Sequence, residues 1–385
     1  MPATPDRTTT ALTDRTADVL RRAVRTGEVP GLVAAVDRPG ADTEVLVLGD
    51  DGAGRSLRRD TVVRIASITK PITAVAALTL VEDGALDLDD PVARWLPGFA
   101  HPRVLAHEAA EPNETVPAER EITVDDVLSY RCGVGVLPRF SFDLPIQRAY
   151  SGLGGDGPPG RHPLPPPDEW LARLAALPLV AQPGQRWLYQ TSGDLLGVLL
   201  ARVCGSDLGT VLRERVFAPL GMRDTGFHVP DAERRRLVPQ LAPGPEGGFT
   251  VFDPVDGAWA NPPAFPSGAA GLVSTVDDLL AFARALRDGG GPVLHPGSVA
   301  ELTTDRLTPA QRADGATFLD GSGWGLGLAV EPDGRYGWDG GLGTGWRSDP
   351  STGVIGILLT QVLWAGPEGP GLLHAFRRAV HARPD

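Results

Sequence analysis

The chain has 385 residues, 42% hydrophobic and 22% charged, values that fit a globular protein with a large core. A formal net charge of -12, with no basic run to offset it, argues against a nucleic-acid partner. Two cysteines, Cys132 and Cys204, are too few for a disulfide framework and fit a reducing cytoplasm, and no run of about 18 apolar residues suggests a membrane span.

The polar, then amphipathic stretch 1–28 lacks the uninterrupted apolar core of a secretory signal peptide. Leu12, Ala17, Leu20 and Ala23 recur at helical spacing and predict a helix over 12–26. Two Val- and Leu-rich strands follow at 31–37 and 44–48, parted by the turn signal Pro39-Gly40. Thr61, Val62, Val63 and Ile65 predict a short strand over 60–66, and the Ala- and Leu-rich run 72–82 a helix that stops at Gly84. A short capped element is expected at 87–95, and a helix at 122–128 capped by Thr123 with Asp126 three residues on. Residues 139–167 hold two Pro/Gly clusters and read as an ordered insertion or lid, with a plain surface loop as the alternative. Helical patterns recur at 169–177, 194–204 and 208–216, and Ser274 opens another through Arg287, with Thr275-Val276-Asp277-Asp278 supplying cap and acidic first turn. The end reverts to strands at 326–331, 336–338, 346–348 and 354–362 and a closing helix at 372–382. Strands at both ends with helices between them predict an α/β (α+β) fold: a sheet assembled from the two chain ends around an inserted helical region.

Ser67 and Lys70 stand three residues apart at the opening of the helix expected after the first strands, almost one turn, so hydroxyl and amine share a face. A serine needs a group to take its proton before it is a good nucleophile, and a desolvated lysine is one such group. A helix N-terminus favours negative charge and disfavours an ammonium, which suits that role. The bland alternative is a helix start with a solvated lysine. Tyr189, in the loop before a helix, is placed to present its hydroxyl to a cleft as proton carrier or hydrogen-bond donor, or simply to pack over the helix start. The glycine-rich run 337–345 lies between strands and lacks a phosphate-loop context, but glycine-exposed backbone there suits an N–H donor to an oxyanion. His101 and His107 fall in a loop-like stretch and read as surface residues; no metal-ligand spacing occurs.

Taken together, these segments resemble the serine β-lactamase and penicillin-binding-protein superfamily, in particular the class C β-lactamase-related hydrolases that include the family VIII carboxylesterases. The resemblance runs over about 16–379, through Ser67-Ile68-Thr69-Lys70, the 128–135 loop, 183–197, Pro219-Leu220-Gly221-Met222-Arg223-Asp224-Thr225, 271–282 and Trp338-Asp339-Gly340-Gly341. It implies one β-lactamase/transpeptidase-like domain over 1–385, with an antiparallel sheet and its helices at about 12–84 and 268–385 and a helical part at about 85–267. It also implies Ser67 as acylated nucleophile, Lys70 as its activator, Tyr189 as proton relay, and the backbone N–H groups of Ser67 and Gly341 as oxyanion hole. Thr191, Trp338, Gly340 and Arg347 would meet the substrate.

The chain departs from the family pattern at two motifs. Tyr189-Gln190-Thr191 replaces Tyr-x-Asn, so the shorter Thr191 hydroxyl stands where an amide is usual. Trp338-Asp339-Gly340 replaces Lys-Thr-Gly, which removes a cation suited to a substrate carboxylate; strand alternation turns Trp338 to the cleft and Asp339 away. The pocket should then favour apolar acyl or alkoxy groups, with Arg347 on the next strand as a substitute cation. Cys132 reads as an inert thiol near the site and Gly133 as a turn residue. The expectation is a cytoplasmic serine hydrolase acting on a small-molecule ester or amide, with no metal, cofactor, nucleic-acid or membrane partner and the oligomeric state open. Alternatives are an acyltransferase using the same acyl-enzyme, a β-lactamase or D,D-peptidase-like activity, and a non-catalytic binding protein on this fold.

Overall fold

The computed structural model describes residues 14–137, 143–153, 164–245, 247–366 and 369–382. Helix α1 (Asp14–Arg25) precedes β1 (Gly31–Asp37) and β2 (Glu44–Gly49), and β3 (Val63–Arg64) leads through a 3-10 turn at Ala66–Ile68 into α2 (Thr69–Glu82). The middle of the chain carries a small hairpin, β4 (Arg103–Leu105) and β5 (Thr115–Pro117), then α3 (Val124–Leu128), α4 (Pro145–Ser151) and α5 (Pro167–Ala175). α6 (Thr191–Cys204), α7 (Leu208–Leu212) and α8 (Ala218–Leu220) follow, with a π-helical turn at Arg213–Phe217 joining the last two. A second hairpin, β6 (Gln240–Pro243) and β7 (Phe249–Asp253), and β8 (Val273–Ser274) precede α9 (Val276–Arg287), α10 (Pro296–Leu302), α11 (Pro309–Asp314) and α12 (Ala316–Leu319). The chain closes with β9 (Gly323–Trp324), β10 (Ala329–Val330), β11 (Tyr336–Gly340), β12 (Thr344–Ser348), β13 (Ile355–Leu359) and α13 (Gly371–Val380).

The main sheet has seven strands in the order β2-β1-β13-β12-β11-β10-β9, each pair antiparallel. It joins the two chain ends directly, Val33 facing Leu359 and Ala35 facing Ile357. β1 is buried along its whole length because both faces are covered. Its side chains alternate: Leu32, Ala34 and Val36 pack with Leu20 of α1 and Phe376 of α13, while Val33 and Ala35 enter the larger core. α2 lies within that core, with every residue from Thr69 to Leu80 buried, which explains why it is apolar on all sides.

Several boundaries differ from expectation for local reasons. The strand before Ser67 is only Val63–Arg64, because Ala66 adopts φ 44° and turns the chain. α9 starts at Val276 rather than Ser274, which pairs in β8; Thr275 caps it as expected, its hydroxyl accepting from the Asp278 N–H at 3.3 Å. Residues 87–95 contain a 3-10 turn at Val92–Arg94, whereas the box of Thr123 and Asp126 caps α3. Within 139–167, residues 139–142 and 154–163 lie outside the described residues; between them α4 buries Ile146 and Tyr150. Strand β9 and both small hairpins went unpredicted, being too short for a period-2 pattern to register.

Candidate active site

Ser67 sits in the 3-10 turn between β3 and α2, and three contacts fix that turn. Ala66 holds a left-handed conformation, and its carbonyl accepts from Thr69 Oγ1 at 2.6 Å. Thr344 Oγ1 donates to the Ile65 carbonyl at 3.1 Å, tying the turn to β12. On β11, a Cβ at Gly340 would stand 2.3 Å from that same carbonyl oxygen, so only glycine admits the close approach. Gly340 thus supports the turn that carries Ser67, while Gly341 borders the cleft beside Ser67 with nothing within 4 Å of where its Cβ would be.

Lys70, one helical turn on, is 1% exposed. Its Nζ lies 2.9 Å from Ser67 Oγ, 2.8 Å from Gln190 Oε1 and 2.8 Å from the Ala269 carbonyl oxygen. Burial pulls the amine down to about 7, opposed by the negative charge of Asp194. The Tyr189 ring stands 4.5 Å from the same nitrogen. Burial raises the Tyr189 phenol well above its ordinary value, although hydrogen bonds to Ser67 and Trp338 work the other way. Trp338 Nε1 donates to Tyr189 Oη at 2.8 Å.

Ser67, Tyr189, Gln190, Trp338 and Gly341 line a cleft of about 820 Å³. A larger cavity of about 1010 Å³ lies around Phe217, Met222 and Phe227 and holds neither Ser67 nor Lys70, so size alone does not mark the chemistry.

Residues 16–375 match the Beta-lactamase family. The chain belongs to that family. It is 40% identical over 333 residues to Protein Rv1367c of Mycobacterium tuberculosis, covering 81% of this chain and 80% of that protein. It is 35% identical to Esterase EstB of Burkholderia gladioli, covering 97% and 96% of the two chains. Among solved structures, EstCE1, described as a hydrolase with promiscuous acyltransferase activity, superposes with TM-score 0.79 at 26% identity, covering 96% and 98%. The chain is accordingly an enzyme, a serine hydrolase of β-lactamase fold.

Within this β-lactamase-family site, the departures from the usual motifs resolve one by one. Thr191 begins α6 and does not line the cleft; Gln190, just before it, supplies the amide oxygen to Lys70. Gln190 adopts φ 76° and ψ -68°, and the Thr191 N–H donates to the Tyr189 carbonyl at 3.1 Å, a γ-turn of the rarer hand that aims the side chain inward. Trp338 does face the cleft, but its N–H is engaged by Tyr189. Asp339 borders the cleft too, rather than facing away from it, and binds Arg347 at 3.1 Å and Arg377; burial opposes its charge, yet these two cations hold it below the usual carboxylate range. Arg347 therefore does not act as a free cation: it also binds Glu331 at 2.9 Å and is 5% exposed.

Around Tyr189 stands an aromatic wall that no motif signalled. Phe318 of α12 stacks on Tyr189 at 4.7 Å, and Trp324 meets Trp338 edge-on at 4.7 Å. Tyr130, held at φ 64°, packs against Trp324 at 5.0 Å. Cys132 is buried with Sγ 3.1 Å from Ser192 Oγ and does not line the cleft; burial pushes its thiol up to about 11. Gly133 is a turn residue at φ 87°, where a Cβ would stand 2.5 Å from the Ala181 carbonyl oxygen. His101 and His107 are exposed, and among the described residues no group of three or more His, Cys, Asp or Glu forms a metal-binding cluster. No single helix among the described residues is long and apolar enough to cross a membrane.

Proposed function

We propose that this enzyme cleaves a neutral small-molecule ester or small amide through an acyl-Ser67 intermediate. The observation that carries the reading is the arrangement around Lys70 Nζ. With two N–H groups directed to Gln190 and Ala269, an unprotonated amine has its lone pair left for the Ser67 hydroxyl 2.9 Å away. On this reading Lys70 removes the Ser67 proton as Oγ attacks the acyl carbonyl carbon. The resulting oxyanion is bound by the backbone N–H groups of Ser67 and Gly341. Tyr189 keeps its proton, because burial raises the phenol, and passes it to the departing alkoxide or amine. Water then attacks the ester carbonyl of acyl-Ser67, the same groups move its proton, and the acid leaves.

Phe318, Trp338 and Trp364 on the cleft wall support apolar acyl or alkoxy groups, and Arg347 is already engaged by Asp339 and Glu331. The similarity to Esterase EstB points the same way. We place the enzyme in the cytoplasm, as one domain whose α/β part is 12–84 with 268–385 and whose helical part is 85–267. A second reading, acyl transfer to an alcohol, draws on the cleft of about 820 Å³, roomy enough for a second substrate, and on the description of EstCE1.

The test is intact mass after exposure to a fluorophosphonate, with Ser67→Ala alongside, followed by turnover of short-chain aryl esters. One adduct on the wild type and none on the variant, with ester turnover lost in the variant, is expected. Undiminished turnover by Ser67→Ala sinks the assignment. Added alcohol that diverts the acyl group into a new ester would favour transfer over hydrolysis.

A further inference from the structure

Behind Lys70 lies a buried carboxylate that the acylation steps leave unassigned. Asp194 sits in the first turn of α6 at 4% exposure. Small residues let the turn 267–270 close down on it: a Cβ on Gly268 would stand 2.5 Å from the Gly193 carbonyl oxygen and 3.1 Å from the Gly197 Cα. Asp194 Oδ1 accepts from Ser267 Oγ at 2.6 Å and from the Ala269 N–H at 3.2 Å. The carbonyl of the same Ala269 accepts from Lys70 Nζ at 2.8 Å. Ser267 Oγ also accepts from the Ala270 N–H at 3.1 Å, and Ala270 borders the cleft. One carboxylate therefore holds the peptide that aims the lysine, and its charge acts on the same amine.

We propose that Asp194 is a positioning residue for acylation, holding the 267–270 turn through its hydrogen bonds and retaining the Lys70 amine beside Ser67 through its charge. The proposal rests on the reading of Lys70 as the base of Ser67. Burial raises the Asp194 carboxyl, while the hydrogen bonds from Ser267 and Ala269 and the charge of Lys70 work the other way and favour its ionised form. Lys70 from α2 and Tyr130 from the turn after α3 are the titratable groups coupled to Asp194, while Tyr189, with Asp339 beyond it, stands over Lys70. Burial pushes both phenols up and brings the Lys70 amine down to about 7, so Lys70 is the group that changes charge near neutrality, with the Asp194 charge acting on it. The sign follows: a negative Asp194 favours the ammonium, so removing that charge frees the lysine base at lower pH.

The measurement is the rate of Ser67 modification by a fluorophosphonate across pH, read by intact mass on the full chain. Asp194→Asn keeps an acceptor for Ser267 and Ala269 but loses the charge, so its acid limb should move down by about one pH unit. Ser267→Ala should move the limb the same way by less, since a carboxylate with one donor fewer protonates more readily. It decides the matter alone if Asp194→Asn does not fold. Acid limbs that coincide with the wild type overturn the proposal. A wild type that takes no adduct on Ser67 instead overturns the Ser67–Lys70 reading, and this proposal with it.

Discussion

At Lys70 the decisive quantity is hydration. Water is excluded, burial brings the amine to about 7, and Gln190 and Ala269 hold it 2.9 Å from the Ser67 hydroxyl, so a lysine can serve as base near neutral pH. The rate of Ser67 acylation by an aryl ester should accordingly rise as pH passes through about 7 and level off above it, because only the unprotonated amine accepts the serine proton. A rate independent of pH across that range would remove Lys70 from the role. Lys70→Met should slow acylation by about 10²-fold or more. At Trp338 the indole N–H is the group in question. Trp338→Phe keeps an aromatic ring but strips a donor from the buried Tyr189 oxygen, a loss of about 1–3 kcal/mol. Slower acylation with a near-normal KM is expected; unchanged kcat would show that the indole only fills space.

At the scale of elements, Ser67 is placed by a strand pressing on a turn. β11 approaches the Ala66–Ile68 turn so closely that Gly340 has no room for a methyl group, while Thr344 of β12 holds the turn from the side. Gly340→Ala should therefore destabilise the fold by about 1–3 kcal/mol and slow Ser67 labelling together, as the turn is pushed out of line. Full labelling at wild-type Tm would mean that the turn is set elsewhere. α3 offers a milder case. The Thr123 hydroxyl accepts from the Asp126 N–H at 3.2 Å and the Asp126 carboxylate answers to the Thr123 N–H at 3.0 Å. Thr123→Ala should cost about 1 kcal/mol, seen as a lower midpoint in urea with unaltered slope.

At the scale of the molecule, the sheet couples the two ends of the chain. α1 and α13 share one layer over β1 and β13, with Phe376 at 2% exposure among Leu20, Leu32 and Leu358. Phe376→Ala should lower stability by about 3–5 kcal/mol, and a single unfolding transition should persist because β1 and β13 stand or fall together. Separate transitions for the sheet and the helical region would show that the two are less tightly coupled than their shared core suggests.

From the sequence alone came the fold class, most helices, the sheet drawn from both ends, and the Ser67–Lys70 pair with Tyr189. The elements and the Ser67–Lys70 pairing rest on period, composition and short spacing, which survive in one dimension; the role of Tyr189 came from the family resemblance. Reading Thr191 as a substrate contact followed motif position, whereas the strained turn at Gln190 hands the inward amide to the neighbouring residue. Arg347 looked like an available cation until β11 and the segment after β10 brought Asp339 and Glu331 against it. The aromatic wall of Tyr130, Phe318 and Trp324, and the carboxylate of Asp194 behind the lysine, come from segments far apart in the chain. Which side chain loses its water, and which charge stands beside it, depends on how those segments pack, and that only the tertiary structure decides.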